Sequence, residues 1–322
     1  MIAEDFKELL SSLCGLSHHQ RNVAKAALDR QTDLPEVIEV VETRFELKPA
    51  CPHCAGILLS RYGFASGLQR YRCQSCRKTF NALTGSPLAR LRHKPKWPGY
   101  LAALAESKTV RESAAEAGVH RNTSFRWRHW FLDGISLDYP GALEGITEAD
   151  ETYLLESDKG KRNLSRQPRK RGGSAQKRGI SDEQVCILVA RDRSGHTLDF
   201  VTGNGQLART RLSEALKRLL ATDALLVSDG NPTYSAFCRT EGISHEAVNL
   251  SQHQRVKGAY HIQNVNAYHS RFKLWLDRFH GVATDYLPHY LGWRRVFEQH
   301  HNPTPQWLLN AALGNFQQST VT

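Results

Sequence analysis

The sequence predicts an α/β protein in which a mixed sheet flanked by helices follows two smaller modules. Three observations carry the prediction. From about residue 145 the apolar pattern changes repeatedly between strand-like alternation and helix-like spacing. Four of the seven cysteines form two CxxC pairs, CPHC at 51–54 and CQSC at 73–76. Between these pairs and the sheet lie two helical runs broken at Gly118. A chain of 322 residues can hold one sizeable core and modules of this kind.

Charge narrows the class of partner. Lys and Arg number 43 against 32 acidic residues, a formal net charge of +11, which favours a polyanion over a neutral metabolite. No stretch approaches 18 consecutive apolar residues, and the opening MIAEDFKELL is acidic and amphipathic, so neither a membrane span nor a secretory signal is expected. Cys14, Cys186 and Cys238 are scattered, and with the two tight pairs this suits metal binding in a reducing compartment better than a disulfide framework.

Residues 1–47 read as an N-terminal helical region. Phe6, Leu9, Leu10 and Leu13 share one side, Val23 to Leu28 form a second short run, and Pro35 with VIEVVETRF leads out of it. Cys14 is expected as a small packed side chain beside the apolar side. Residues 48–82 read as a zinc ribbon. Cys51, Cys54, Cys73 and Cys76 supply four soft thiolates, and the eighteen residues between the pairs can form a hairpin. A segment too short for its own core gains its fold from such a structural Zn²⁺ site, which leaves no open coordination position for catalysis. The surrounding Arg61, Arg70, Arg72, Arg77 and Lys78 serve either as phosphate contacts or as a solvated face.

Residues 95–135 read as a helix-turn-helix module. Small alanines at 114 and 115 allow close crossing, Gly118 permits the turn, and the second helix begins near Asn122. Arg121, Asn122, Thr123, Arg126 and Arg128 give that helix the composition of an element that enters a major groove. An ordinary helical hairpin has much the same pattern, and the neighbouring ribbon and basic charge favour nucleic-acid binding.

Residues 145–300 carry the sheet, with a basic insertion at 156–183, and 301–322 are a C-terminal tail. Asp150 lies within or beside the first strand. Within the insertion, residues 159–178 hold nine basic residues, Lys170 and Arg171 among them, and no acidic one, the pattern of a mobile loop that neutralises phosphates. QVCILVARD and HTLDFVTG are the next strands, then a helix, then LLVSDG, whose Asp229 ends a buried strand. Asp229 alone is explained as well by starting a turn and capping the following helix. A helix, the short strand HEAVNL and a long helix through HIQNVNAYHSRFKLWLDRFH complete the order. Strand, basic excursion, strand, strand, helix, strand, helix, strand, helix is a ribonuclease-H-like layout, in which the strands carrying Asp150 and Asp229 are neighbours. Converging carboxylates repel unless a hard divalent cation lies between them.

With these pieces in order, the chain resembles bacterial insertion-sequence transposases of the DDE type that carry an N-terminal zinc ribbon and helix-turn-helix. DET at 150–152, SDG at 228–230, HIQNVNAYHSRFK at 261–273 and GVATDYLPHYLGWRR near the end carry the likeness, from about Cys51 to Trp293. The resemblance implies metal-assisted cleavage and strand transfer at the terminal inverted repeats of a mobile element, on double-stranded DNA. It also implies a homo-oligomer on that DNA and a cytoplasmic, nucleoid-associated location, with no membrane. Asp150 and Asp229 match the first two metal-binding acids. The third position is Asn266, seven residues before Lys273, where the commonest pattern has glutamate. Asparagine offers a carbonyl but no charge to Mg²⁺ or Mn²⁺.

On this reading Asp150, Asp229 and Asn266 hold the catalytic ions, Lys273 orients a phosphate, and His269 contacts the site. Glu151 points to the opposite face, and Phe272, Trp275, Leu276 and Phe279 form the stripe that packs the helix on the sheet. A DNA-binding regulator with an inactive catalytic domain, or a nuclease without strand transfer, are the alternatives.

Overall fold

The computed structural model describes residues 3–21, 34–164, 166–167, 172–221, 223–248, 256–300 and 302–314. Helix α1 spans Ala3–Leu13. Its Leu9 and Leu10 are exposed, and Cys14 after it is exposed too, so the packed thiol expected there is not found. The run from Val23 to Leu28 lies outside the described residues. The segment expected to lead out of this region is instead helix α2, Leu34–Leu47, which buries Val37 and Val41. Glu42 on α2 accepts hydrogen bonds from the Gln69 N–H (3.0 Å) and the Tyr71 hydroxyl (3.0 Å), fastening α2 to the cysteine-bearing module.

That module is a three-stranded antiparallel sheet of β1 (Leu59–Ala65), β2 (Leu68–Cys73) and β3 (Thr79–Asn81). β1 and β2 form the hairpin expected between the cysteine pairs. Three helices follow: α3 (Trp97–Ala105), α4 (Val110–Glu116) and α5 (Arg121–Ser136). Thr109 and Glu112 make a reciprocal capping box at the start of α4. Gly118 takes a φ of 57° in the turn, where a side chain would be strained, and His120 Nδ1 accepts from the Asn122 N–H to cap α5.

The main sheet has five strands in the order β6, β5, β4, β7, β8: β4 (Ile146–Leu155), β5 (Gln184–Asp192), β6 (Thr197–Asn204), β7 (Leu225–Ser228) and β8 (Ser244–Ala247). β4, β5 and β6 run antiparallel in turn, while β7 and β8 are parallel to β4. The expected adjacency of the first and fourth strands, which carry or precede Asp150 and Asp229, is found in the pairing of β4 with β7. β5 is apolar on both faces because it is central in a covered sheet. Val185, Ile187 and Val189 enter one core, and Cys186, Leu188 and Ala190 the other. The second core is closed by α6 (Arg209–Leu216) and α7 (Pro232–Glu241), the first by α8 (Gln263–Asp277) and α9 (Leu287–Gln299).

One expectation is corrected at the C-terminal side. Residues 301–322 are not simply a tail: Pro305–Leu313 form helix α10, started by Thr304, with Leu308, Leu309, Ala312 and Leu313 buried. The stripe on α8 joins the core on the sheet, as expected, and its far end also packs on helices. The Trp275 indole N–H donates to Ser107 Oγ (2.9 Å), and Trp275 and Phe279 lie edge-on to the rings of Trp293 and Tyr290 respectively on α9. Helix α5 is pressed into the same assembly. A Cβ on Gly134 would lie 2.2 Å from the Ala312 carbonyl oxygen, and one on Gly292 would lie 2.4 Å from Ser136 Cα. Only glycine allows backbones to approach so closely.

Candidate active site and metal centre

Residues 146–148 of β4 pair in parallel register with 225–227 of β7, Glu148 opposite Val227. Two residues further along each chain come Asp150, midway along β4, and Asp229, just past the end of β7, so the register brings both acids level where the loop after β7 leaves room for a ligand. Burial first, then the charges of Asp229 and Glu151, push Asp150 up to about 7. One oxygen of Asp229 accepts the Asn231 N–H (2.9 Å), so its turn-forming role is real as well; Asn231, not Asp229, is the N-cap of α7.

Helix α8 crosses this edge. His269 is buried, its Nδ1 is 3.9 Å from Asp150 Oδ2, and its Nε2 has no hydrogen-bond partner among the described residues. Burial and then Lys273 pull the imidazole down to about 4, so it is neutral near pH 7. Partial burial also lowers Lys273, against an opposing pull from Asp150. Asn266 is exposed one turn before His269 on the same side of α8. His269 thus lies beside Asp150, and Lys273 is near enough for the charge of Asp150 to act on it. Glu151 sits on the other face of β4 beside Tyr234 of α7, and burial raises its carboxyl.

On α5, Arg121, Asn122 and Arg126 are exposed and Thr123 is half-buried. Arg128 is not available to a ligand. It is fully buried, donates to the Lys108 carbonyl (2.6 Å) and Ser113 Oγ (3.1 Å), and stacks over Trp293. Position 128 falls on the inward side of α5 because Ser124, one turn earlier, and Leu132, one turn later, are also buried. Lys170 and Arg171 lie outside the described residues. The beginning of the basic insertion is anchored, with Ser157 and Thr284 exchanging hydrogen bonds and Lys159 donating to the carbonyls of His280 and Gly281.

The four ribbon cysteines converge, their ligand atoms all within 4.8 Å of one another. Sγ separations of 3.6 Å for Cys51 and Cys76 and 3.5 Å for Cys54 and Cys73 are close to the roughly 3.8 Å edge of a tetrahedral Zn–S₄ shell. The Cys76 and Ser75 backbone groups help hold the Cys73 thiol down to about 6, while burial pushes Cys51 up to about 12. These residues fit a structural zinc ion.

Sequence reasoning overlooked Glu148, two residues before Asp150 and fully buried. The signal was present: in TEADETY, alternation gives Glu148 the same face as Asp150, an inward position where an acid needs partners.

Residues 142–294 match the family described as ISXO2-like transposase domain. A similar curated protein is the "Uncharacterized protein in transposable element ISH50" of Halobacterium salinarum, 29% identical over 255 residues, covering 75% of this chain and 82% of that protein. Solved structures similar to the chain include a pre-cleavage Mos1 transpososome (14% identity, 67% of this chain and 78% of that one, TM-score 0.25). The Mos1 strand transfer complex gives 15% identity, 67% and 77% coverage, and a TM-score of 0.20. Superpositions this weak carry no argument. Among the described residues no helix is long and apolar enough to cross a membrane. Residues 142–294, which hold the sheet and both aspartates, are thus similar to ISXO2-like transposase domains, and most of the chain is similar to a protein of a transposable element.

Proposed function

We propose that this chain is the transposase of an insertion sequence, binding the double-stranded ends of its element and cleaving and joining DNA there in a divalent-metal-dependent reaction. The observation that supports this most directly is the register of adjacent parallel strands, which sets Asp150 within β4 level with Asp229 just past β7, with Asp150 pushed up to about 7 by burial and by its neighbours' charge. Carboxylates that repel one another in a partly desolvated cleft are relieved by a doubly charged ion, and oxygen donors suit Mg²⁺ or Mn²⁺. Asp150 and Asp229 would hold the metal, with Asn266 offering a carbonyl from α8. When bound, such ions activate a hydroxyl for attack on phosphorus and stabilise the departing oxygen.

The remaining work falls to the chain's own side chains. His269, neutral and buried against Asp150, keeps that carboxylate oriented. Lys273 supplies a cation for a phosphate oxygen. Arg121, Asn122 and Arg126 present donors and acceptors to base edges from the exposed start of α5, Thr123 contacts the backbone, and α4 and α5 act as a helix-turn-helix. The basic insertion, with Lys170 and Arg171, neutralises phosphates, and the ribbon is shaped by Zn²⁺.

The test is a titration of Mg²⁺ and Mn²⁺ on intact and precleaved element ends, with hydrolysis and joining measured separately. Asp150→Asn and Asp229→Asn are expected to keep DNA binding and lose cleavage by orders of magnitude. Asn266→Ala and Asn266→Glu should shift the metal dependence. Cleavage by Asp150→Asn at the unmodified rate would overturn the reading. Hydrolysis without joining would make the protein a nuclease, and binding without cleavage a regulator.

A further inference from the structure

Glu148 is fully buried, and a carboxylate so placed is tolerated only with several donors around it. It has them. The backbone N–H groups of Asn264 (2.8 Å) and Val265 (3.1 Å) donate to one oxygen, and Asn264 Nδ2 (2.8 Å) to the other. Arg193, in the turn between β5 and β6, places Nη1 3.0 Å away, while His261 Nδ1, at 3.2 Å, accepts the Gln263 N–H (3.3 Å). Asn264 and Val265 are in the first turn of α8, whose N-cap residue Ile262 has no side chain able to cap it. The missing cap is supplied from another element, by a side chain on the strand that carries Asp150.

We infer that Glu148 is a positioning residue: its carboxylate caps α8 and fixes the register of that helix against β4, so that Asn266, His269 and Lys273 face Asp150. The inference rests on the active centre proposed above. A slip of α8 by one residue would move it about 1.5 Å and turn it by about 100°, enough to take His269 away from Asp150. Two backbone N–H groups converging on one oxygen resist both motions. Arg193 serves the same end by donating also to the Ala259 carbonyl (2.9 Å), which holds the approach to α8 against the β5–β6 turn.

Glu148→Gln tests this with little change in size, because an amide presents an NH₂ group to donors on one side and so cannot satisfy both sets. The full-length protein, Glu148→Gln and Asp150→Asn are compared by hydrogen exchange, Mn²⁺ binding, DNA binding, and cleavage against Mn²⁺ concentration. In Glu148→Gln, faster exchange is expected at Asn264 and Val265 and along α8, with the sheet and DNA binding unchanged. Mn²⁺ affinity should fall roughly 10- to 100-fold, as it does when a group orienting a metal ligand is lost. Limiting cleavage at saturating Mn²⁺ should fall as well, since the facing helix is misplaced. Unchanged exchange at Asn264 and Val265 overturns the inference, as does exchange raised equally over the whole sheet, or a metal requirement and limiting rate equal to those of the unmodified protein. If the unmodified protein neither binds Mn²⁺ through Asp150 nor cleaves DNA while the exchange result appears as expected, the proposed activity fails and the capping role stands.

Discussion

Arg128 shows how one residue of the right type can be assigned the wrong work. Its sequence neighbours Arg121, Asn122 and Arg126 are exposed on α5, yet Arg128 turns inward and packs on Trp293 of α9. Its long stem covers apolar surface, and its guanidinium answers the Lys108 carbonyl, so truncation removes packing as well as hydrogen bonds. Arg128→Ala is expected to cost roughly 2–5 kcal/mol of stability, as large-to-small changes in a core do, and to leave the ratio of terminal to unrelated DNA binding unchanged. Urea denaturation and competition binding check the two halves. By contrast, Arg121→Ala or Asn122→Ala should leave stability within about 0.5 kcal/mol and lower that ratio.

At the scale of elements, the join between α5 and α9 is sealed by a pair of histidines. His129 Nδ1 and His289 Nδ1 are 3.0 Å apart, and Tyr286 stacks on the His129 ring at 3.7 Å. Burial first, then His289 and Arg128, push His129 down to about 3. In the unfolded chain a histidine titrates near 6.5, so between that pH and about 3 the unfolded state binds the extra proton. Stability from this join is therefore present above about 6.5 and is lost progressively as pH falls toward 3. His129→Gln should flatten that decline between about pH 6.5 and 4 in melting curves, while the unmodified protein loses stability there. A parallel decline in both would remove His129 as its source.

For the whole molecule, the small module and the main sheet draw on different sources of stability. The ribbon core consists of Cys51, Tyr71, Cys73 and Phe80, with Phe45 of α2 lying 4.6 Å from Tyr71. That is too little apolar burial to hold a fold without metal. Chelation should release about one Zn²⁺ per chain and speed hydrogen exchange through β1, β2 and β3, with β4 and β5 still protected, because they belong to the larger cores. Loss of protection in both regions together would make the chain one cooperative unit. Across the opposite seam, a buried ion pair between Arg295 of α9 and Asp199 of β6 also takes in the Tyr268 hydroxyl (2.6 Å) and the Ser136 carbonyl at the end of α5 (2.7 Å). This network ties the helix proposed to read DNA to the sheet proposed to cut it.

The sequence by itself determined what depends on local spacing. CxxC pairs with a hairpin between them, the turn at Gly118, the two-faced apolar run of β5, the strand that holds Asp150 and the strand that ends before Asp229 all follow from periodicity, turn chemistry and ligand spacing within a few tens of residues. Helices α2 and α10 were legible only in part, since Thr304 and Pro305 make a helix start that brevity and a terminal location obscured. What only the tertiary structure decided are the contacts between residues far apart in the chain: the inward turn of Arg128, the nearness of His269 to Asp150, and the capping of α8 by Glu148 across 116 positions. Local pattern gives each side chain a face, but which element meets that face is set by the register and crossing of whole elements, and no window of sequence contains that information.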